Sequence, residues 1–493
     1  MPFIIYIGMF SDDYRWKYFA IFCVMLITLV ILWSLMRTAL LAIGVAMFVN
    51  IIIVFFMHSK VKMFFKKYPL AKIILPAIIL AFFLGIGLNY FQQLKLKNDK
   101  KSVLLSFNST NERTVLWKNT WQMFNDYPLT GIGAGNWKII LPKYGLGALP
   151  PEARKAEMFY IRPENDFLWV FAETGIIGGF CYLGIFVIAA FVCVQKIRKS
   201  IHKKERIFAF VVLNALILYG VTAFFGFPKD RTFLQTEFAI IIAFSLLFLE
   251  DAKRKSFTIK LPSVVMLICF IFYVFKGTQL LAAELQLSKL IEARKNNQHD
   301  LVLTYVESIK DKNYLMDQTS TPIYFYEGVA LFSLQKIDEA MLAFHKAESL
   351  HPYHLHVLNN LATCYSIKGD FNRSIAYLNK ALEISPDFQE AIINLSGLHY
   401  NQRNYKEAYK YFFRARTDNK HNQLYVNLDA LFTKTINDSL LKLTVKYIEI
   451  GDLEKAEASL KACLHKNKMP EYHDMQVAIV RKRQKMNALK NMK

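Results

Sequence analysis

Three arginines and a short acidic knot are the residues of this chain best suited to chemistry. Arg37 stands at the end of a long apolar run, Arg113 opens a stretch of helical spacing, and Arg162 precedes another apolar run. A guanidinium presents a planar fork of N–H donors that matches two phosphate oxygens at once. Gathered on one face, the three would clamp a diphosphate; taken singly, each reads as an arginine snorkelling at a bilayer edge. Glu164, Asn165 and Asp166 follow Arg162 closely, and Glu173 comes nine residues after Glu164. A carboxylate here can act as general base toward a hydroxyl acceptor. It can equally pair with Arg162 or cap a helix that starts at this point, and the residue pattern leaves both open.

Gly131, Gly133 and Gly135 alternate within the run 126–137, DYPLTGIGAGNW. They read either as a flexible break between helices or as a turn whose backbone N–H groups face an anion. His351, His354 and His356 cluster between two repeats and read as solvated loop histidines rather than metal ligands. The six cysteines lie in apolar runs or helical repeats, at spacings that suggest packing and not a disulfide framework or a zinc site. No P-loop, CxxC pair, HExxH or nucleophile elbow occurs. Neither a metal nor a cofactor is therefore expected.

The elements that must position these residues are membrane helices. The 493 residues are 54% hydrophobic, and mean hydropathy is +0.22, which excludes a simple soluble enzyme and a disordered chain. Seven runs approach the ~20 apolar residues that a spanning helix needs: 18–35, 38–57, 73–90, 175–194, 207–225, 232–249 and 261–275. The net charge of +22 divides unevenly, +17 over residues 1–278 and +5 over 279–493. Much of the first part lies in the lysine-rich loops 58–72, 195–206 and 250–260. By the Lys/Arg bias all three belong on the inner side, which explains the charge better than nucleic-acid binding does. The outer side then receives Arg37, the long segment 91–174, the loop 226–231 and everything after 275. Within the long segment, 113–124 and 152–159 have helical spacing, as amphipathic helices on the outer membrane surface would.

The C-terminal part repeats every 34 residues. Gly328, Ala340, Phe344, Ala347 and Pro352 are followed one period later by Ala381 and Pro386, and two periods later by Ala408, Phe412 and Ala415. This spacing resembles the tetratricopeptide repeat, two helices per unit. Units are expected at 321–354, 355–388, 389–422 and, after an insertion, 437–470, with a helical lead-in at 281–309 and a basic helical tail at 471–493. The fold class is therefore all-α. A polytopic transmembrane bundle (1–278, outer loop 91–174) precedes a tetratricopeptide-type α-solenoid (279–470).

The membrane part in turn resembles the O-antigen ligase and polymerase family of bacterial inner membranes. Arg37-x-x-x-Leu41 is similar to that family's arginine motif, 113–137 to its outer-loop signature, and 165–178 (NDFLWVFAETGIIG) to the segment that leads into the next span. The resemblance covers about residues 15–275. It implies a multi-pass inner-membrane protein with repeats in the periplasm. It also implies metal-independent transfer of a glycan from undecaprenyl diphosphate to a lipid acceptor, or to another lipid-linked unit if the chain is a polymerase. On the same ground Arg37, Arg113 and Arg162, with Gly131, Gly133, Gly135 and Asn136, would bind the diphosphate. Glu164, Arg113 and Arg162 would be catalytic, supported by Asn165, Glu173 and Gly175. The family places a histidine where this chain has Glu164, eleven positions before Gly175. Members usually carry more spans than seven, so the resemblance implies further spans before Met1. A reading of another class is a membrane-anchored scaffold whose repeats recruit a periplasmic protein.

Overall fold

The computed structural model describes residues 2–34, 37–56, 100–249, 260–310, 314–415, 422–463 and 470–491. The expected third span and the inner loop before it lie outside these residues. Among the described residues the chain is helical, with one isolated bridge, Met316 to Pro322, and no strand.

Four described helices are long and apolar enough to cross a bilayer: Tyr14–Ile31, Asp166–Lys199, Lys203–Phe224 and Val264–Lys295. Two shorter apolar helices, Thr38–Asn50 and Thr232–Leu246, coincide with the second and sixth expected spans. The bundle packs through Phe186, Ala189 and Cys193 on Asp166–Lys199. They meet Ala209, Val212, Leu216 and Tyr219 on Lys203–Phe224, and Ile241 beyond. An Asn50–Asn214 side-chain hydrogen bond of 2.8 Å ties in the Arg37–Phe56 helix. Between helices in lipid, close packing and such polar contacts replace the hydrophobic effect as the source of association.

The last span is not the short one expected at 261–275. It is part of one continuous helix, Lys260–Lys295. Its 36 residues would extend roughly 54 Å at 1.5 Å per residue, well beyond the ~30 Å of hydrocarbon. Val264–Phe275 are exposed, as lipid-facing residues would be. Farther along the same helix, Ala283, Leu287, Leu290 and Ala293 are buried against Val302, Val306 and Ile309 of His299–Lys310. The lead-in thus grows directly out of the membrane helix.

Helix pairs follow: Ile323–Ser333 with Ile337–Leu350, Leu355–Ile367 with Phe371–Ile384, and Gln389–Asn401 with Tyr405–Arg414. The small residues let the paired helices approach: a Cβ at Gly328 would lie 2.5 Å from the Phe344 ring. A 28-residue helix, Gln423–Ile450, then pairs with Leu453–Lys461, so residues read as an insertion are helical. Pro470–Asn491 forms the last helix.

The segment expected on the outer side differs from expectation in two ways. A 27-residue helix, Lys100–Asp126, extends well before 113. The helix expected at 152–159 is a single turn, Pro151–Arg154, and Ala156 beyond it has a left-handed φ of 59°, which ends regular helix for a residue with a Cβ. Many apolar residues of this segment pack on protein, while Trp121, Tyr127 and Leu129 are exposed. Leu116, Met123, Trp137, Leu141, Leu146 and Leu149 share one core with Leu355, Leu358, Ala381, Ile384 and Phe388 of the repeats. Segment and repeats therefore lie on the same side of the bilayer. The same contact corrects the reading of the histidines: His351 and His354 are only 4% and 3% exposed, covered by the docked segment.

Candidate functional site

The site begins at a break in a membrane helix. Within Asp166–Lys199, Gly175 adopts φ 68° and ψ −166°, a conformation that essentially only glycine tolerates. A straight helix would pair the carbonyls of Ala172 and Glu173 with the N–H groups of residues 176 and 177. At the break they accept instead from Ile132 N–H and Gly133 N–H, both at 2.9 Å, while Ile176 N–H turns to the Pro128 carbonyl at 2.8 Å. The glycine-rich turn thus replaces the missing helical bonds, so few backbone groups are left unpaired. Contact is close enough to require glycine on both sides. A Cβ at Gly131 would sit 2.3 Å from the Glu173 carbonyl carbon, and one at Gly175 2.2 Å from the Leu129 oxygen.

Glu173 completes the joint. Its carboxylate, in a residue only 4% exposed, accepts from Gly135 N–H at 2.9 Å and Trp137 N–H at 3.3 Å. Its other oxygen lies 3.6 Å from Lys229 Nζ. Of the two roles open to this carboxylate, the geometry favours pairing over proton transfer. Trp137, fully buried, donates from its indole to Thr120 Oγ1 at 2.9 Å and so fastens the turn to the Lys100–Asp126 helix. The N–H groups of Gly131, Gly133 and Gly135 all have acceptors inside the chain. In this arrangement the turn is a shaped wall and not an open anion cradle. Asn136 is exposed and spans the turn, Nδ2 to the Ile132 carbonyl at 2.9 Å.

The arginines meet where that helix lies along residues 160–164. Trp117 Nε1 donates to the Pro163 carbonyl at 3.0 Å, and Tyr160 OH to Glu112 Oε2 at 3.3 Å. Between these two contacts, Arg113 and Arg162 each approach the Glu164 carboxylate at 3.8 Å. Arg162 also pairs with Asp230 and stacks on Phe227, its guanidinium carbon 3.6 Å from the ring centroid. Arg231 covers the same ring at 4.8 Å. Burial pushes the Glu164 carboxyl above its ordinary range, while Arg113, Arg162 and Arg231 pull it back. Glu164 itself holds a left-handed φ of 58°, a conformation uncommon for a non-glycine residue.

The first turn of the broken helix supports this edge. Asn165 caps it, accepting from Leu168 N–H at 3.0 Å. Asp166, buried, accepts from Lys229 N–H at 2.7 Å, and Lys229 Nζ lies 3.8 Å from the Trp169 ring centroid. Arg37 starts the Arg37–Phe56 helix; its side chain lies outside the described residues. Arg113, Arg162 and Glu164 are therefore brought together, with Asn165, Glu173, Gly175 and the glycine turn behind them. Sequence reasoning missed Phe227, Lys229, Asp230 and Arg231. The available signal was the pair of cations Lys229 and Arg231 in a short loop assigned to the side that should be poor in them. No group of three or more His, Cys, Asp or Glu suited to a metal ion occurs among the described residues.

The family model described as O-antigen ligase matches residues 22–183, and the tetratricopeptide repeat model matches 357–388. No curated protein matches the chain. The first span contains all the sequence-predicted site residues and ends just past the helix break; the second coincides with one of the helix pairs. Residues 22–183 of this membrane protein thus match an O-antigen ligase domain, and residues 357–388 match a tetratricopeptide repeat.

Proposed function

We propose that the chain transfers a glycan from undecaprenyl diphosphate to a hydroxyl of a lipid acceptor, at the periplasmic face of a bacterial inner membrane. The observation that carries this is the convergence of Arg113 and Arg162 on one carboxylate, Glu164, with Arg231 beside them, within or next to an O-antigen ligase domain. In the step itself the acceptor oxygen bonds to the anomeric carbon, and the bond from that carbon to the phosphate oxygen breaks. The acceptor proton passes to Glu164, and undecaprenyl diphosphate leaves. Negative charge grows on the diphosphate as that bond breaks, and pre-placed guanidinium groups at a partly dry edge lower the barrier most there. For the diphosphate to enter, Arg113 and Arg162 exchange the Glu164 carboxylate for phosphate oxygens. Arg37, at the start of its helix, joins the same set in this reading.

The test is transfer by the full chain in lipid vesicles, supplied with a diphosphate-linked glycan and a lipid acceptor. Arg113→Ala and Arg162→Ala should each abolish it. Normal transfer by both variants would sink the proposal. In cells, removal of a ligase leaves long glycan chains unattached, whereas removal of a polymerase leaves single units attached.

A further inference from the structure

We propose that the repeats act on this chain itself: the second unit holds the glycine-rich turn in place, and the outer site is incomplete without it. The turn is anchored at its membrane end by Glu173, as described above. Its other end runs through the one-turn helix Trp137–Ile140 and the 3-10 turn Leu141–Tyr144 to Leu146. There Leu146 N–H donates to the carbonyl of Ile384 at 2.7 Å. Ile384 is the last residue of the Phe371–Ile384 helix, so its carbonyl is one that no helical partner satisfies. The outer segment caps that helix as an intramolecular partner.

Further contacts extend the seam. Arg154 pairs with Asp387 at 2.5 Å, Ser385 Oγ donates to the Arg154 carbonyl, and Lys138 Nζ donates to the Gln318 carbonyl at 3.1 Å. Phe159 stacks on His354, centroids 5.7 Å apart. The apolar centre is continuous, with Leu146, Leu149, Ala153 and Ala156 in one cluster with Leu355, Ile384 and Phe388. Two cavities lie between the two sides, one of about 30 Å³ beside His351 and His354 and a more open one of about 360 Å³ beside the Arg154–Asp387 pair.

What makes this a positioning device and not a chance contact is that the segment is held at both ends: Ile132 N–H and Gly133 N–H join it to the broken membrane helix, and Leu146 N–H joins it to Ile384. The repeats follow the helices Lys260–Lys295 and His299–Lys310. Holding one wall of a site at both ends is how a scaffold keeps a loop within the fractions of an ångström that transfer chemistry demands. The outer segment also occupies the turn-side edge at Ile384–Phe388, where a recruited protein would have to displace it.

The experiment uses the full chain in detergent and reads hydrogen exchange, with glycan transfer measured alongside. Arg154→Glu and Asp387→Arg each reverse one half of an ion pair on the surface of the seam and leave the cores of both sides intact. Each should raise exchange at the amides of residues 131–137 about fivefold, the equivalent of about 1 kcal/mol for a half-exposed ion pair. The double swap, which restores opposite charges, should return exchange to within about threefold of the parent. Unchanged exchange at 131–137 in both single variants would overturn the proposal, and so would a rise that the swap does not reverse. The exchange readout does not depend on the transferase reading, so failure of one is distinguishable from failure of the other.

Discussion

Replacing Gly131 by alanine tests the helix-break joint most directly, because Gly135 provides a matched control in the same turn. Both glycines hold left-handed φ angles, 68° and 81°, so an alanine at either position incurs the same conformational penalty, about 1–2 kcal/mol. Their surroundings differ. A Cβ at Gly135 would meet nothing within 4 Å, whereas one at Gly131 would lie 2.3 Å from the Glu173 carbonyl carbon and 2.4 Å from its oxygen. Those are backbone atoms of a membrane helix and cannot swing aside. The turn must retreat by about 1 Å to reach ordinary contact. That stretches the two bonds from Ile132 and Gly133 to the broken helix, now 2.9 Å, to about 4 Å, beyond hydrogen-bond range. Each bond lost at a half-buried site costs on the order of 1 kcal/mol.

The sum is about 3–4 kcal/mol of local stability for Gly131→Ala, against about 1–2 for Gly135→Ala. In hydrogen exchange at Ile132 and Gly133, 3–4 kcal/mol corresponds to an acceleration of about a hundredfold to nearly a thousandfold. The control should show roughly tenfold or a little more. Transfer should fall with Gly131→Ala and persist with Gly135→Ala. Equal effects of the two substitutions would refute the joint, since they share a φ penalty and differ only in the clash.

Four further outcomes follow from the same geometry. Glu173→Gln should loosen the turn, because the amide oxygen that still faces Gly135 and Trp137 no longer carries charge, and an NH2 donor replaces the oxygen that faces Lys229; exchange at Trp137 that matches the parent would count against this. Glu164→Gln should flatten a pH dependence. The folded Glu164 carboxyl is raised by burial, so stability present below its ordinary range is lost as pH rises through the folded value; thermal unfolding of both proteins across that range is the check. Acid should open the seam. Burial holds His351 down at about 4 against 6.5 unfolded and lowers His354 too, so their stabilisation is complete above 6.5 and lost as pH falls toward 4. For His351 this amounts to about 3 kcal/mol. His356 acts in the opposite sense, since Glu390 keeps its pKa raised despite burial. A seam equally protected at pH 7 and pH 5, after correction for intrinsic exchange, would contradict the net balance. Finally, protease applied to one face of sealed vesicles should reach both the outer segment and the repeats, or neither.

The architecture was largely legible because its signals are local and periodic. Long apolar runs mark the spans, a 34-residue spacing of Ala347, Ala381 and Ala415 marks the paired helices, and Arg113, Arg162 and Glu164 announce themselves as charges in the segment between two spans. What stayed hidden depends on pairs far apart in the chain. Arg231 and Phe227 join Arg162 only because the loop after Lys203–Phe224 folds back over the start of Asp166–Lys199. The histidines at 351–356 have a polar, turn-like context, and nothing local says that residues 156–159 bury them.

Gly131, Gly133 and Gly135 illustrate the division. Their sequence establishes that the chain must bend there, since alternating glycines cannot sustain a helix. Whether those glycines serve an anion or a neighbouring backbone depends on where the freed carbonyls of Ala172 and Glu173 lie, and on which donors the Glu173 carboxylate takes. Residue types set what a group is able to bond; only the fold, by bringing Gly175 against Leu129 and Ile384 against Leu146, decides which partner it meets.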